Sequence, residues 1–258
     1  MIQGFDRFRD AIAALPPKPC LEKADLLTER FRLFGDGEIE SYYAPFDYVN
    51  RAAKVVLVGV TPGWSQMERA FKTACNSLRE GLADSEVLRL VKRTAGFAGP
   101  MRKLLVGMLD GIELQHHMRI ASCSELFDSA FDSLHCTSAV SAPTFKNGAN
   151  YTGQVPGLTK NPLLRRYVME ALGPELASIP DALIVPLGAA ASSAVRLVIE
   201  QGVVLPERCL IGFPHPSGAN GWRGRLFAAN REQMKEQVRC WFEMKSARDG
   251  YSPALVAK

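Results

Sequence analysis

Hydrophobic and polar positions along the chain follow two spacings, which together predict strands that alternate with helices. Continuous apolar runs at residues 54–59 and 181–187 are rich in β-branched side chains and are typical of buried parallel strands. Shorter runs at residues 132–138 and 209–213 predict two further strands. Strands that alternate with helices predict an α/β fold, which we expect to be a three-layer αβα arrangement around a short, mostly parallel central sheet.

Helical spacing of three and four residues fills the segments between these runs. The predicted helices cover, in order, residues 5–15, 21–31, 65–109 with a break near 96–100, 162–172, 189–200, and a last helix through Phe227, Met234, Val238 and Trp241. The pair Pro16-Pro17 ends the first helix, because proline removes a backbone donor and clashes with the preceding turn.

The organisation expected from these elements is a single domain over residues 1–258, with no internal repeat and no linker. Residues 1–40 are expected to form a helical N-terminal extension, and residues 246–258 a tail without pattern. Residues 141–161 are rich in Gly, Pro, Asn and Thr, and so long a loop inside a domain is usually functional or mobile.

Composition excludes several classes of protein. The 258 residues are 47% hydrophobic and 22% charged, which excludes a disordered or fibrous chain. The net charge of +4 permits a basic groove but is too small for a histone-like binder. The most apolar stretch contains Pro186, Arg196 and Glu200, which argues against a membrane span.

The six cysteines form no C-x-x-C pair and no Cys/His cluster with metal-binding spacing. They therefore indicate reduced thiols, and no secretory leader is recognisable, so we expect a cytoplasmic protein without a metal or a metal cluster.

Two unusual loops follow predicted strands, at residues 59–66 and 215–221. Sites in parallel α/β sheets form beyond the carboxyl ends of the strands. Gly59 and Gly63 allow the backbone to approach a ligand closely, and Pro62 stiffens the turn. His215 lies between two prolines, on a rigid backbone suited to a catalytic group.

These loops carry a resemblance to a known family. Gly59-Val60-Thr61-Pro62-Gly63 and His215-Pro216-Ser217 resemble the two signature motifs of the uracil-DNA glycosylase superfamily. Segments 42–46, 134–139 and 182–190 are similar to its approach segment, its base-reading strand and its strand-and-helix before the second motif. The resemblance spans about residues 40 to 243.

The resemblance implies a monofunctional DNA glycosylase that flips uracil or another altered base out of DNA and hydrolyses its N-glycosidic bond. It implies DNA as partner, no cofactor and a monomer. His215 matches the family histidine that donates a hydrogen bond to the base carbonyl, a contribution of about 3–4 kcal/mol.

Thr61 is the main departure, because relatives place an acid or amide there, or at the position of Val60, to hold the attacking water. Threonine can bind a water but does not readily take its proton at neutral pH. Activity is then weak, or assisted by another residue such as Gln66 or Glu68, or lost.

The resemblance also implies which residues surround the base. They are Gly59, Val60, Pro62, Gly63, Trp64, Phe71 and Ser138. Trp64 or Phe71 would stack on the ring, and Ser138 would read its edge, with Asn147 or Asn150 as alternatives.

Contacts to DNA are implied after the second motif, at Ser217, Asn220, Arg223 and Arg225. Ala219 is small for a wedge, so Trp222 would lead any insertion into the duplex. Two alternatives stay open: a DNA-binding relative that has lost catalysis, and an α/β hydrolase that acts on a free nucleoside or nucleotide.

Overall fold

The computed structural model of the protein describes residues 4–218 and 220–250. Its strands are β1 (Arg32–Gly35), β2 (Ile39–Tyr42), β3 (Val55–Gly59), β4 (Leu134–Ser138), β5 (Thr144–Lys146), β6 (Ala149–Asn150) and β7 (Leu183–Pro186). Its α-helices are α1 (Phe5–Ala13), α2 (Lys23–Leu26), α3 (Trp64–Arg79), α4 (Asp84–Ala95), α5 (Pro100–Gly111), α6 (Leu114–Met118), α7 (Pro162–Tyr167), α8 (Gly173–Ala177), α9 (Gly188–Glu200) and α10 (Arg223–Gly250).

A three-stranded parallel sheet forms the centre, in the order β4-β3-β7. β3 lies in the middle, with Val55 opposite Leu134 on one side and Leu183 on the other. Every residue of these three strands is buried, which explains their continuous apolar runs. The predicted buried strands at residues 54–59, 132–138 and 181–187 are confirmed.

Helices cover both faces of this sheet. Val55 and Leu57 face a core that includes residues of α5, α6 and α10, whereas Val56 and Val58 face α9 and the helical segment 168–177. The alternation of neighbouring valines and leucines between two cores follows from the two-residue repeat of a strand. The fold is therefore α/β, with the three-layer αβα arrangement expected from the sequence.

The predicted N-terminal helical extension is wrong beyond its first helix. Residues 21–31 contain only one helical turn, α2, and β1 and β2 then form an antiparallel hairpin. The side chain of Asp36 accepts the N–H groups of Glu38 and Ile39, which closes the hairpin turn. Phe31 packs edge-on against Phe71 of α3, so tertiary packing overrides the local helical spacing.

Residues 209–213 were expected to form a strand, and this expectation is also wrong. A single parallel bridge joins Cys209 to Ile184, and the chain turns immediately afterwards. The N–H of Ile211 donates to the carbonyl of Cys209, and Gly212 has a φ of +103°. The segment still lies beside β7, and it delivers residue 215 to the same edge of the sheet.

The loop at residues 141–161 contains the small hairpin β5–β6, with Asn147 and Gly148 in its turn at positive φ. β5 pairs with β2, so this loop joins the N-terminal hairpin in a second sheet of order β1-β2-β5-β6. Helix α10 extends through residues 246–250, so only residues 251–258 of the expected tail lie outside the described residues. Within residues 4–218 and 220–250, none of the helices combines the length and apolar character needed to cross a membrane.

Candidate functional site

A pocket opens at the carboxyl ends of β3 and β4, where the first motif leaves the sheet. The space inside it that a water molecule can occupy is about 30 Å³, and its volume with the open mouth included is about 340 Å³. It is lined by Phe46, Pro62, Gln66, Lys92, Ala95, Gly96, Phe97, Cys136, Thr137, Ser138 and Ser141. The sequence predicted Pro62 and Ser138 in this place.

Gly59 allows two of these side chains to approach each other. Gly59 lies opposite Ser138 in the sheet register. A β-carbon at residue 59 would lie 3.1 Å from the ring of Phe97 and 3.1 Å from the Ser138 hydroxyl. A larger residue at position 59 would press against both groups, so glycine favours the close approach of the aromatic ring and the hydroxyl. Among the described residues, no side chain forms a hydrogen bond with that hydroxyl.

Gln66 lies at the start of α3 and serves the pocket and the helix together. Its side-chain oxygen accepts the N–H of Gly63 at 3.1 Å, which caps the helix. The amide nitrogen then remains as the hydrogen-bonding end of this pocket-lining side chain. Glu68 does not line the pocket, since its carboxylate accepts the N–H of Leu21 at 3.4 Å.

Thr61 connects the first motif to the loop that follows β4. Its hydroxyl donates to the carbonyl of Ala142 at 2.8 Å and accepts the N–H of Thr144 at 3.1 Å. A hydroxyl has one donor and two acceptor positions, so only one acceptor position remains for a water. Thr61 therefore joins the two loops through its hydroxyl, a structural role that its position in the motif did not predict.

Lys92 is a lysine in the buried wall of the pocket. Only 3% of its surface is exposed, and its Nζ donates to the carbonyl of Cys136 at 2.7 Å. Burial lowers the pKa of Lys92, whereas the charges of Glu175 and Asp47 act in the opposite direction. The carbonyl that it binds belongs to β4, the edge strand of the central sheet.

An adjoining, larger cavity has about 270 Å³ of space that a water molecule can occupy, and about 790 Å³ with its mouth included; it shares Phe46 and Ser141 with the pocket. Three of its lining residues carry carboxylates, Asp47, Glu170 and Glu175. Burial raises the pKa of Asp47, whose carboxylate accepts the Tyr43 hydroxyl at 2.7 Å.

Glu175 is held by β4. Its carboxylate lies 2.7 Å from His135 Nε2 and accepts the Thr137 hydroxyl at 3.0 Å. Burial alone would raise the pKa of Glu175, but His135, Lys92 and Thr137 together hold it below its ordinary value. The N–H of Asn50 donates to His135 Nδ1 at 3.4 Å, which leaves the proton of a neutral ring on Nε2, facing Glu175.

His215 lies on the other side of β3, beyond the end of β7. A β-carbon on Gly188 would lie 2.8 Å from the β-carbon of His215, and Gly188 has a φ of +88°, so both space and backbone conformation favour glycine. The N–H of Ser217 donates to His215 Nδ1 at 3.2 Å, which places the proton of the neutral ring on Nε2. Burial lowers the pKa of His215, which favours this neutral form.

The aromatic residues predicted to stack on a base lie elsewhere. Phe71 is fully buried in the core around α1, α3 and α4, where it contacts Phe31. The Trp64 side chain packs partly against the same core, and the backbone N–H of Trp64 donates to the side-chain oxygen of Asn150 at 2.9 Å. Neither side chain lines the pocket, because α3 begins directly after the motif and directs both toward the N-terminal core.

The remaining predicted base-contacting residues hold the motif in place. Gly63 lies against Asn150, whose side-chain nitrogen would be 3.1 Å from a β-carbon at residue 63. Val60 packs against Gly153, which has a φ of +83°. The hairpin loop at residues 141–161 is thus fitted closely to the first motif, and Asn147 serves its turn.

The loop after His215 is stabilised mainly from within. Arg223 donates to the carbonyl of Ser217 at 2.6 Å, and the side chain of Asn220 donates to the carbonyl of His215 at 3.2 Å. Arg225 lies over the ring of Trp222 at 5.6 Å, and Trp222 is 65% exposed. Ala219 lies outside the described residues.

Sequence reasoning missed Phe97 and Lys92. A signal existed for each: Phe97 stands in the glycine-rich break between α4 and α5, and Lys92 follows Val91 in the apolar stripe of α4. A charged residue in such a stripe is unusual, because burying a charge costs free energy unless a partner or a ligand compensates.

Comparison with known proteins yields one informative relative. No family model matches the chain, and no solved structure matches it. Over 234 residues the chain is 40% identical to a Bacillus subtilis (strain 168) protein described as "Uncharacterized protein YoxB". The matched region covers 90% of this chain and 91% of that protein, so it includes the whole of the candidate site.

Proposed function

The chain belongs to the same family as the Bacillus subtilis protein YoxB, and we propose that it is a DNA glycosylase of the uracil-DNA glycosylase superfamily. The reaction is hydrolysis of the N-glycosidic bond of uracil or another altered base that has been flipped out of DNA, the first step of base-excision repair. The observation that carries this proposal is that both motif loops lie beyond the carboxyl ends of strands in the same parallel sheet, on either side of β3, although His215 does not itself line the pocket. Gly59 contacts Ser138 on one side of β3, and Gly188 contacts His215 on the other.

The pocket offers suitable groups for a planar base. The ring of Phe97 can stack on it, a contact worth about 1–3 kcal/mol per base. The Ser138 hydroxyl and the Gln66 amide can bind polar atoms on its edge. A base inside a duplex cannot reach such a pocket, so extrusion would precede the reaction.

His215 suits the role of hydrogen-bond donor to the departing base. Its neutral ring carries a proton on Nε2, since Nδ1 accepts the N–H of Ser217. A fixed donor aimed at a carbonyl oxygen binds more strongly as negative charge develops there, and this difference lowers the barrier.

The proposed location is the cytoplasm and the proposed partner is DNA, bound by a monomer. All six cysteines are free thiols in the structure, which suits a reducing compartment. Exposed Trp222 and Arg225, next to the loop of His215, suit contact with bases and phosphates.

Thr61 favours a second candidate, a DNA-binding relative without catalysis. Its hydroxyl already has two backbone partners, and the pocket lining contains no carboxylate. Such a protein would keep the groove and the pocket but would not activate a water.

The deciding experiment uses labelled oligonucleotides that carry uracil, hypoxanthine, xanthine or a methylated base, single-stranded and double-stranded. Alkali then reveals abasic sites. We expect cleavage by the native protein and a loss of about 100-fold or more in His215→Ala. The matched control is His116→Ala, which alters an exposed histidine on α6.

Other outcomes are equally informative. Salt-sensitive DNA retention without cleavage would contradict the glycosylase proposal and support the second candidate. Failure to retain any oligonucleotide would contradict both, and binding of a small nucleotide instead would indicate a hydrolase of free nucleosides or nucleotides.

A further inference from the structure

We propose that Lys92 contacts the base in this pocket and stabilises, through its ammonium group, the negative charge that the base acquires as it departs. This role rests on the proposed glycosylase activity and adds a second, charged group to the donor at His215. The substrate class that it implies is a base with a carbonyl oxygen conjugated to its glycosidic nitrogen, which carries the charge of the leaving group.

The hydrogen bonding of Lys92 leaves donors for a ligand. An ammonium group has three N–H donors. One of them binds the carbonyl of Cys136 at 2.7 Å, and among the described residues Lys92 forms no second hydrogen bond. The side chain lines the pocket and is otherwise enclosed, so bulk water outside the pocket does not reach the remaining donors.

The charge of Lys92 also lacks a direct counter-ion. Asp47 and Glu175 influence it from a distance, but neither forms an ion pair with it in the described part of the chain. Asp47 is bound by Tyr43, and Glu175 by His135 and Thr137. A buried cation without a close anion is costly, and an anion that forms in the pocket would offset that cost.

The need for a hydrogen-bond donor to the Cys136 carbonyl, on β4, explains only part of the burial of Lys92. The Cys136 carbonyl needs one donor, which a neutral side chain could supply at lower desolvation cost. A lysine brings a charge and two further donors to the pocket, and the proposed reaction uses both.

In the proposed reaction, water adds to C1′ of the sugar, and the electron pair of the C1′–N bond passes to the base. One proton of the attacking water passes to the solvent at the mouth of the pocket, and the base departs as an anion beside Lys92.

The test compares two leaving groups in the same oligonucleotide under single-turnover conditions. 5-Fluorouracil is a more acidic base than uracil and needs less stabilisation as an anion. We expect Lys92→Met to lose about 100-fold on uracil and distinctly less on 5-fluorouracil. Lys103→Met, on the exposed side of α5, is the matched control and should leave both rates unchanged.

A purely structural lysine would give another pattern. Equal losses on both bases, or no loss, would overturn the proposed role of Lys92. Lys92→Gln keeps an N–H for the Cys136 carbonyl without a charge, so it replaces Lys92→Met if circular dichroism shows that the methionine variant does not fold.

A binding measurement separates this role from the glycosylase activity itself. 5-Nitrouracil is largely anionic at neutral pH, and calorimetric titration can compare its affinity with that of neutral uracil. We expect the native protein to prefer 5-nitrouracil by about tenfold or more, and Lys92→Gln to lose that preference. If no oligonucleotide is cleaved, a preference for 5-nitrouracil still supports an anion site at Lys92. If the native protein shows no such preference, the proposed role of Lys92 is overturned.

Discussion

Thr61, at a position for which the motif resemblance implies a catalytic role, forms hydrogen bonds that hold two loops together. Its hydroxyl bridges two backbone groups of the loop after β4, the carbonyl of Ala142 and the N–H of Thr144. In the superfamily that the motif resembles, an acid or amide at this position would bind the attacking water. Here the same position fastens the motif to the loop at residues 141–161.

Replacement of Thr61 by valine should therefore destabilise the protein. Valine has the same shape but leaves the Ala142 carbonyl and the Thr144 N–H without this partner, at a cost of about 1–3 kcal/mol. Urea denaturation followed by circular dichroism measures the loss. Thr61→Ser, which keeps the hydroxyl, is the control. Equal stability of Thr61→Val and the native protein would show that the hydrogen bonds of Thr61 do not stabilise the fold.

Individual site residues could be predicted only where a motif marks them. Gly59 and Pro62 follow a predicted strand, which located them at the end of the sheet, whereas Ser138 was predicted from the motif resemblance. Phe97 was missed because it enters from a break between two helices, about 40 residues along the chain. Contacts across such a distance depend on how the helices pack, which residue spacing does not specify.

At the scale of elements, a histidine–carboxylate pair connects the edge strand β4 to helix α8. His135 is buried, and its Nε2 lies 2.7 Å from Glu175. Burial lowers the pKa of His135, and Glu175 opposes that change only in part. The pair fixes α8 against the sheet beside the larger cavity.

This pair predicts a loss of stability on mild acidification. Above the ordinary histidine pKa of about 6.5, His135 is neutral in both folded and unfolded states. Below it, the unfolded chain takes up a proton that the folded chain takes up only at lower pH, so unfolding is favoured. The loss should approach about 1.4 kcal/mol per pH unit for this one proton.

His135→Gln separates this contribution from that of His215, whose pKa burial also lowers. Glutamine can still donate to Glu175 but does not titrate. Urea denaturation between about pH 7 and pH 5 should give a shallower pH dependence in this variant than in the native protein. The same slope in both proteins would show that His135 does not contribute.

The elements that the sequence predicted correctly are those whose burial is continuous or strictly periodic. β3 and β7 are apolar throughout, and α1 repeats its apolar residues at helical spacing. The wrong predictions, a helix at residues 21–31 and a strand at 209–213, concern short segments. Aromatic packing decides the first, and a turn at Gly212 decides the second.

Across the whole molecule, the net charge of +4 is too small to supply the DNA affinity that the proposed function requires, so that function depends on local groups. Trp222 and Arg225 form an exposed aromatic–cation pair next to the second motif. Their position near the sheet edge suits a DNA strand whose base enters the pocket.

Two substitutions should then affect DNA binding in different ways. Arg225→Ala should reduce the slope of log affinity against log salt by about 0.7–0.9, because one phosphate contact is lost. Trp222→Ala should weaken binding with little change in that slope, because stacking releases no counterions. Fluorescence anisotropy at several salt concentrations measures both, with exposed Arg196 on α9, changed to Ala, as the control. A slope unchanged by Arg225→Ala would exclude its contact with phosphate.

The pairing of β2 with β5 has a consequence for shortened forms of the chain. Asn150 and Gly153, which contact the first motif, belong to the loop at residues 141–161, which contains β5. On one side, β5 pairs with β2 of the N-terminal hairpin. A protein that starts at residue 54 would retain every signature residue and the central sheet. It would also leave β5 with an unpaired edge, which could pair with a strand of another chain. The first motif would then lose the fixed position of the loop that contacts it. The hairpin of β1 and β2 therefore supports the site, although neither strand belongs to the two signature motifs.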